Sequence, residues 1–587
     1  MGGFCGFTCT NHDSITAMLE ALAHRGQASN HINIGGITLG QRSPDQLLST
    51  CGNYAIVFDG DIFNLHQLTA NKEPLPEILL NLYHQYGPAM LTHLHGVFAF
   101  AIFDIAANRL FCTRDIFGAK PFYYTKTHDG IIFGSEIKSF LHHPGFTPSL
   151  NTEALAQYLS FQYSVLDETF FKGVYKLPPG HYMEWENGDL KLTPYHSLEF
   201  SPTKMQMEEA VERIDKTVLA SVARHMQGGT EIGAFLSGGV DSGYVTAIFG
   251  GKKTFTIGFD YEKYNEIEHA KKLSEHIGAT NFTKMISTDE YWESLPKIQY
   301  HMDEPIGDPA AVAFYFACME AAQHVKIALS GEGADEFFGG YNIYKEPLSL
   351  RTYSKLPLII RKWIASLAKR LPKGTKGRSF VIRGATPVQE RFIGNAYIFT
   401  AQERDKLLKF KTSQTPADIV RPYYDKVKHL DDITKMQFID IHFWLVGDIL
   451  LQADKMSMAH GLQLRVPLLD REVFHVASQL PTKLRVTKKQ SKVAFRNAAA
   501  RHMPVETATR RKLGFPVPTR IWLRDKKYYN IVKEHFTSAA AQEYFHQGEL
   551  MTLLDEHFNG KQDNSRKIWT IYMFLLWYNE FFGGIQP

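Results

Sequence analysis

Residues 231–249 read EIGAFLSGGVDSGYVTAIF. IGAFL is a short apolar strand, two glycines follow, and DSGYVTAIF has the apolar spacing of a helix. A strand that turns through glycines into a helix gathers backbone N–H groups and the positive end of the helix dipole at one point. That is a cradle for an anion. The GxxxxGK[ST] pattern is absent, so it is not a Walker A loop. Taken alone, the stretch also fits a tight turn with no ligand.

The surrounding sequence favours the cradle. MEEAVERIDKTVLASVARHM (207–226) reads as a helix, TFTIGF (254–259) as a strand, EIEHAKKLSEHIG (266–278) as a helix and VKIALSGEG (325–333) as a third strand ending in glycines. Strands alternating with helices predict a parallel sheet with helices on both faces. Beyond about residue 345 the pattern is mostly helical. SGEGADEFFGGY (330–341) holds Glu332, Asp335 and Glu336 at a strand's carboxyl end, where open α/β sheets bind ligands. Three acids this close repel one another unless a cation compensates. Asp241 and Asp335 are the carboxylates expected to face Mg2+, a hard ion that prefers carboxylate and phosphate oxygens. A solvated acidic turn is the plainer alternative for the second site.

Residues 1–190 have a different texture. NYAIVFDGDIF, FAFAIFDIA, RLFCTRDI, PFYYTKT and GIIFGSEI are aromatic and β-branched runs between turn residues. Helical pieces stand at DSITAMLEALAHR and PEILLNLYHQYG. This predicts an α+β domain of stacked antiparallel sheets. Residues 191–206 read as a linker with two prolines, and 207–587 as the second domain.

Composition narrows the class. The 587 residues suit several domains, with 44% hydrophobic and 21% charged residues. A net charge of +3 is too small to argue for nucleic acid or an anionic membrane surface. The basic runs KKYYN and RTYSK are too short to claim a patch. No apolar stretch is long enough to span a bilayer, and the start lacks a signal-peptide pattern. The five cysteines are scattered without ligand spacing, so neither a zinc site nor a disulfide framework is expected, and a reducing cytoplasmic setting fits.

Ordered blocks then carry a resemblance. SGGVDS, FTIGF, MDEPIGDPAA, LSGEGADEFFGGY, DKMSMAHGLQLRVPLLD and RRKLGFPVP in the second half, with LAHRG, HGVFAFAIFD, RDIFGAKPFYY, FGSEIKSF and KLPPGHY in the first, resemble the asparagine synthetase family. The resemblance implies an N-terminal glutaminase-like domain of Ntn type and an α/β pyrophosphatase-loop (PP-loop ATPase) synthetase domain with a largely helical C-terminal part. It implies that ATP adenylates a carboxylate and that ammonia or an amine then attacks it, releasing AMP and pyrophosphate. Leu236, Ile257, Ser330 and Gly331 would frame the nucleotide, and Ser237, Gly238, Gly239 and Ser242 would cradle its pyrophosphate. Asp241 and Asp335 would hold Mg2+. Glu332 and Lys512 would be catalytic, Lys512 by neutralising charge at the α-phosphate. The partners implied are a small-molecule carboxylate and a nitrogen donor, in a family that is often homodimeric. His460, beside Met456 and Met458, reads as core, and Arg465 and Asp470 as structural partners.

The N-terminal half breaks the family pattern. The family's glutaminase uses an N-terminal cysteine thiol, with its own α-amine as base. In register, Gly2 stands at that position and Cys5 at a variable one. The family's Asn-Gly-Glu, which supports the oxyanion and binds the substrate amine, reads Asp59-Gly60-Asp61. Ionised aspartate cannot donate to an oxyanion. A family Ser-Asp pair aligns with Pro74-Leu75, and HRGPD reads HRGQA. The expectation is a ligase with no glutamine hydrolysis. Two alternatives are an amide- or lactam-forming ligase for a non-aspartate acid, and a glutamine-dependent enzyme if processing exposes Cys5. Asn265-Glu266 and Gln463 also depart from the family's more frequent residues, which unsettles an aspartate-like specificity.

Overall fold

The computed structural model describes residues 2–8, 12–43, 48–69, 73–228, 231–261, 266–372, 374–510 and 517–583. Among the described residues, twelve strands form the N-terminal part: β1 (Gly3–Phe7), β2 (Ala28–Ile34), β3 (Ile37–Ser43), β4 (Ser49–Cys51), β5 (Tyr54–Ile62), β6 (Gly96–Asp104), β7 (Arg109–Arg114), β8 (Tyr123–Lys126), β9 (Ile131–Gly134), β10 (Val174–Lys176), β11 (His181–Glu186) and β12 (Asp189–Pro194). They make two six-stranded antiparallel sheets, ordered β10-β8-β9-β1-β3-β2 and β12-β11-β7-β6-β5-β4.

Alternation decides where each side chain goes. Phe4, Leu39, Val57, Ala99, Ala101 and Cys112 fill the space between the sheets. Ile56, Phe58, Phe100 and Ile102 face the other way and pack against the helix Leu75–Tyr86. The outer face of the first sheet, with Cys5 and Phe7, joins the core that runs on into the C-terminal part. The two halves of the chain therefore share one continuous apolar core.

The C-terminal part is built on a parallel sheet ordered β15-β14-β13-β16-β17, from β13 (Ile232–Phe235), β14 (Lys253–Phe259), β15 (Thr280–Ile286), β16 (Ile327–Leu329) and β17 (Gln463–Arg465). The predicted alternation of strand and helix is present over residues 207–338. Two strands escape the sequence pattern. β15 is an edge strand with mostly solvated residues, and β17 has only three residues within a helical region. The linker expectation is corrected at its start. Residues 191–194 finish β12, paired to β11 with His181 opposite Pro194, because Leu190 and Leu192 continue a hairpin's alternation.

Candidate active site

Register brings the two glycine turns together. β13 lies between β14 and β16, with Ile232 opposite Ile327. The carboxyl ends of β13 and β16 are thus neighbours, and Ser237–Ser242 meets Ser330–Glu336. A Cβ on Gly331 would sit 2.7 Å from Ser242 N and 2.8 Å from the Asp241 carbonyl carbon, so only glycine permits this approach. Ser237 N donates to Ser242 Oγ at 3.1 Å, and the two hydroxyls are 3.1 Å apart. The helix Val240–Phe249 begins here, with Gly239 as its N-cap. Leu236 and Ile257 are buried on adjoining strands, tied by Thr256 Oγ1 donating to Leu236 O at 2.7 Å. Ser330 Oγ donates to Glu332 Oε1 at 3.2 Å.

One residue that sequence reading missed organises the acids. Lys492 Nζ lies 2.5 Å from Asp241 Oδ1 and 2.7 Å from Asp335 Oδ1. Both carboxylates therefore face a single cationic point, the donor set a hard divalent cation such as Mg2+ needs. Gly340 makes room for this, since a Cβ there would come within 1.7 Å of Asp335 Oδ1. Lys492 is held by a left-handed backbone (φ 55°) at the start of the helix Val493–Ala499. Burial pulls its ammonium below the usual lysine range, against Asp241. In sequence it is one lysine among KKQSK, and nothing local distinguishes it. Glu336, the third acid of the turn, points inward. Burial pushes its carboxyl up to about 7, and Tyr341 Oη donates to it at 2.6 Å. Lys512 and Asn265 lie outside the described residues.

The residues expected around the N-terminal pocket are tied to one another. Gly2 N donates to Asp59 Oδ1 at 3.0 Å, and Gly2 O accepts from Arg25 Nε at 2.8 Å. A Cβ on Gly2 would lie 2.0 Å from the Arg42 carbonyl oxygen. Arg25, fully buried, also pairs with Asp59 at 2.9 Å, Glu136 at 2.8 Å and Asp454 at 2.9 Å. Lys120 reaches Asp454 at 2.7 Å, while Lys138 at 2.7 Å and Lys455 at 2.5 Å reach Asp303. Burial alone would raise Glu136, but Lys138, Lys455 and His24 hold it well below the carboxylate range. Burial would likewise raise Asp454, but Arg25 and Lys120 hold it far below that range. These groups come from both halves of the chain and neutralise one another where a substrate pocket was expected.

Other expected positions divide. Gly2 and Asp59 are brought together, whereas Asp61 turns to Arg465 (3.2 Å) and Gln463 on β17. Gln463 therefore serves the contact between the halves. Leu75 packs with the outer cluster of Ile56 and Phe58, across the sheet from Asp59. The pairing of Leu75 with the pocket is corrected, because alternation along β5 sends positions 58 and 59 to opposite faces. Cys5 is paired on both sides in the middle of its sheet, opposite Gly40 and Gly134. It faces the helix side with Phe7, away from the Phe4 side on which Gly2 falls. Burial pushes its thiol far up. Removal of four residues would take two of the five residues of β1 and leave Cys5 on the wrong face.

A family model of asparagine synthase matches residues 213–579. This chain belongs to the asparagine synthetase family. A glutamine amidotransferase domain model matches residues 1–196. The chain is 38% identical to asparagine synthetase [glutamine-hydrolyzing] 1 of Bacillus subtilis, covering 97% of this chain and 94% of that one. It is 38% identical to a putative asparagine synthetase of Mycobacterium bovis over 89% of this chain and 84% of that one. It is 25% identical to amidase chyE of Penicillium rubens over 89% and 84%. As a member of that family, the protein is an ATP-dependent carbon–nitrogen ligase with an Ntn-type N-terminal fold. One further contact binds its halves: His95 Nε2 lies 3.0 Å from Asp470, which is also held by Arg224 at 2.9 Å within the C-terminal part. Arg465 and Asp470 are the structural partners the sequence implied. His460 lies against Tyr315, ring centroids 4.4 Å apart.

Proposed function

We propose that this protein makes an amide from a carboxylate and ammonia, or a small-molecule amine, with AMP and pyrophosphate as by-products and without hydrolysing glutamine. Gly238, Gly239 and the start of the helix Val240–Phe249 bind the pyrophosphate part of ATP. Asp241 and Asp335 would hold Mg2+, which would screen the phosphate charge, and Lys492 pairs with the same two carboxylates. Glu332 orients the incoming nitrogen, and Lys512 steadies the α-phosphate as its geometry changes. The carboxylate is activated as the acyl-adenylate. The relatives named asparagine synthetases make aspartate the first acid to try.

Gly2 carries the reading on the nitrogen source. It offers no thiol, and the Arg42 carbonyl occupies the volume a Cβ would need. Pyrophosphate release should be measured over a panel of carboxylic acids with ammonium, and separately with glutamine. Ammonium should support turnover, and glutamine should give neither turnover nor glutamate above a no-enzyme control. Asp241→Ala and Lys512→Ala should each abolish release. Glutamate formation from glutamine by the wild type would overturn the nitrogen-source reading. Failure of every acid with ammonium and with amines would overturn the ligase reading for this site.

A further inference from the structure

Residues 351–384 contain ten Lys and Arg and no Asp or Glu. The chain as a whole carries only +3, so the remainder is net negative and the total conceals a strongly basic segment. RTYSK is its opening. In the structure the segment is a helical hairpin, with the helix Leu358–Lys369 packed on the helix Arg378–Gly384. Ala365 and Ala368 form the buried side of the first helix, and Arg361 is tied inward to the Leu356 carbonyl at 2.9 Å. Glu346 clamps the hairpin's base through Arg383 and Arg391.

The outward side is apolar. Ile359, Trp363 and Leu367 recur every fourth residue of the first helix and so share one face, and Leu371 is exposed just beyond its end. Ile359 is 82% and Trp363 66% exposed. Among the described residues, eight of the eighteen exposed large hydrophobics fall within 356–380. A patch so concentrated marks an interaction surface rather than scattered exposure. Lys355, Lys362, Lys369, Arg370 and Lys376 surround it, exposed and with no ion pair among the described residues.

We propose that this hairpin seats the protein on an anionic lipid bilayer. The stripe of Ile, Trp and Leu enters the interface between headgroups and acyl chains, and the lysines contact acidic headgroups. Tryptophan is the aromatic residue best suited to that depth. No helix among the described residues is long and apolar enough to cross a membrane, so the hairpin lies on the bilayer rather than through it. A second copy is a poor occupant, because a two-fold contact sets the same patch against itself and brings the two basic rims together. Nucleic acid would match the charge but leave the aliphatic stripe without a partner. The inference is independent of the reading of the ATP site.

The test is flotation of the full chain with vesicles of phosphatidylcholine alone and of phosphatidylcholine mixed with phosphatidylglycerol. The wild type should float with the mixed vesicles, less so as salt is raised, and its tryptophan emission should shift to the blue. Ile359→Asp with Trp363→Asp should lower partitioning by roughly tenfold or more, with pyrophosphate release and circular dichroism unchanged. Lys362→Glu with Lys369→Glu keeps the apolar stripe and should lose the preference for the anionic vesicles. No flotation at low salt, equal binding to both vesicle types, or undiminished flotation of the Asp variant would overturn the proposal. So would light scattering that finds a wild-type dimer and a monomeric Asp variant, which would assign the face to a second copy.

Discussion

Restoring the family's cysteine at position 2 should not restore a glutaminase. In Gly2→Cys the new Cβ starts 2.0 Å from the Arg42 carbonyl oxygen and 3.1 Å from Ser43 Cα. β1 and β3 must part until the first distance reaches the ordinary contact of about 3.4 Å. That movement pulls on two buried hydrogen bonds, Gly2 N to Asp59 and Arg25 Nε to Gly2 O. Bonds to charged partners are worth about 1.5–3 kcal/mol each, and overpacking a tight site costs about 1–3 kcal/mol. With only part of the hydrogen bonding lost, a destabilisation of about 4 kcal/mol is expected. For a domain of this size that lowers the apparent unfolding midpoint by roughly 8–16 °C. The assay is thermal unfolding of wild type, Gly2→Ala and Gly2→Cys, with intact mass confirming removal of Met1. Glutamate release from glutamine is measured on the same samples. Alanine should lose nearly as much stability as cysteine, since both need the Cβ, and neither should release glutamate. A Gly2→Cys protein that unfolds at the wild-type temperature, or that hydrolyses glutamine, would show that the pocket is not closed as described.

Three further outcomes are expected. Arg25→Met should destabilise the protein by about 3–5 kcal/mol, because Asp59, Glu136 and Asp454 lose a shared buried partner, and a lowered thermal unfolding midpoint will show it. Asp335→Asn should abolish pyrophosphate release, and chelation of divalent cations should do the same to the wild type until Mg2+ is returned. The third concerns pH. Burial pushes Asp440 up to about 7, so between its ordinary pKa and about 7 the folded state holds a proton the unfolded chain has lost. Stability then falls as pH rises through that window and levels off above it. Asp440→Asn removes this slope, so urea midpoints at pH 5 and pH 8 should lie closer together in the variant, by the equivalent of about 3 kcal/mol. An unchanged difference between the two pH values would mean that Asp440 stays ionised in the fold.

The strand–glycine–helix stretch at 231–249 and the acidic turn at 330–341 were legible because their signals are local. Hydrophobic period, glycine spacing and charge density act over a few residues, and they marked both glycine turns that the parallel sheet brings together. β17 was illegible because three residues carry no period, and Lys492 because its role depends on a helix some 250 residues away in sequence from Asp241. The hairpin at 351–384 shows the same limit from the other side. Its composition stands in the sequence, but that Ile359 and Trp363 face outward follows only from which side of their helix is covered.

By itself, then, the sequence put a residue without a thiol at position 2 and an aspartate at position 59, and set Asp241 and Asp335 beside glycine turns. Whether the N-terminal pocket stands open without its nucleophile or has closed depends on distances between chain segments that no local pattern encodes. The tertiary structure decides it. Two antiparallel sheets bring the Arg42 carbonyl against Gly2, and the packing of the two halves sets Arg25 among acids from positions 59, 136 and 454. Buried charges tolerate that arrangement only when they are paired, and Arg25 is paired with all three acids.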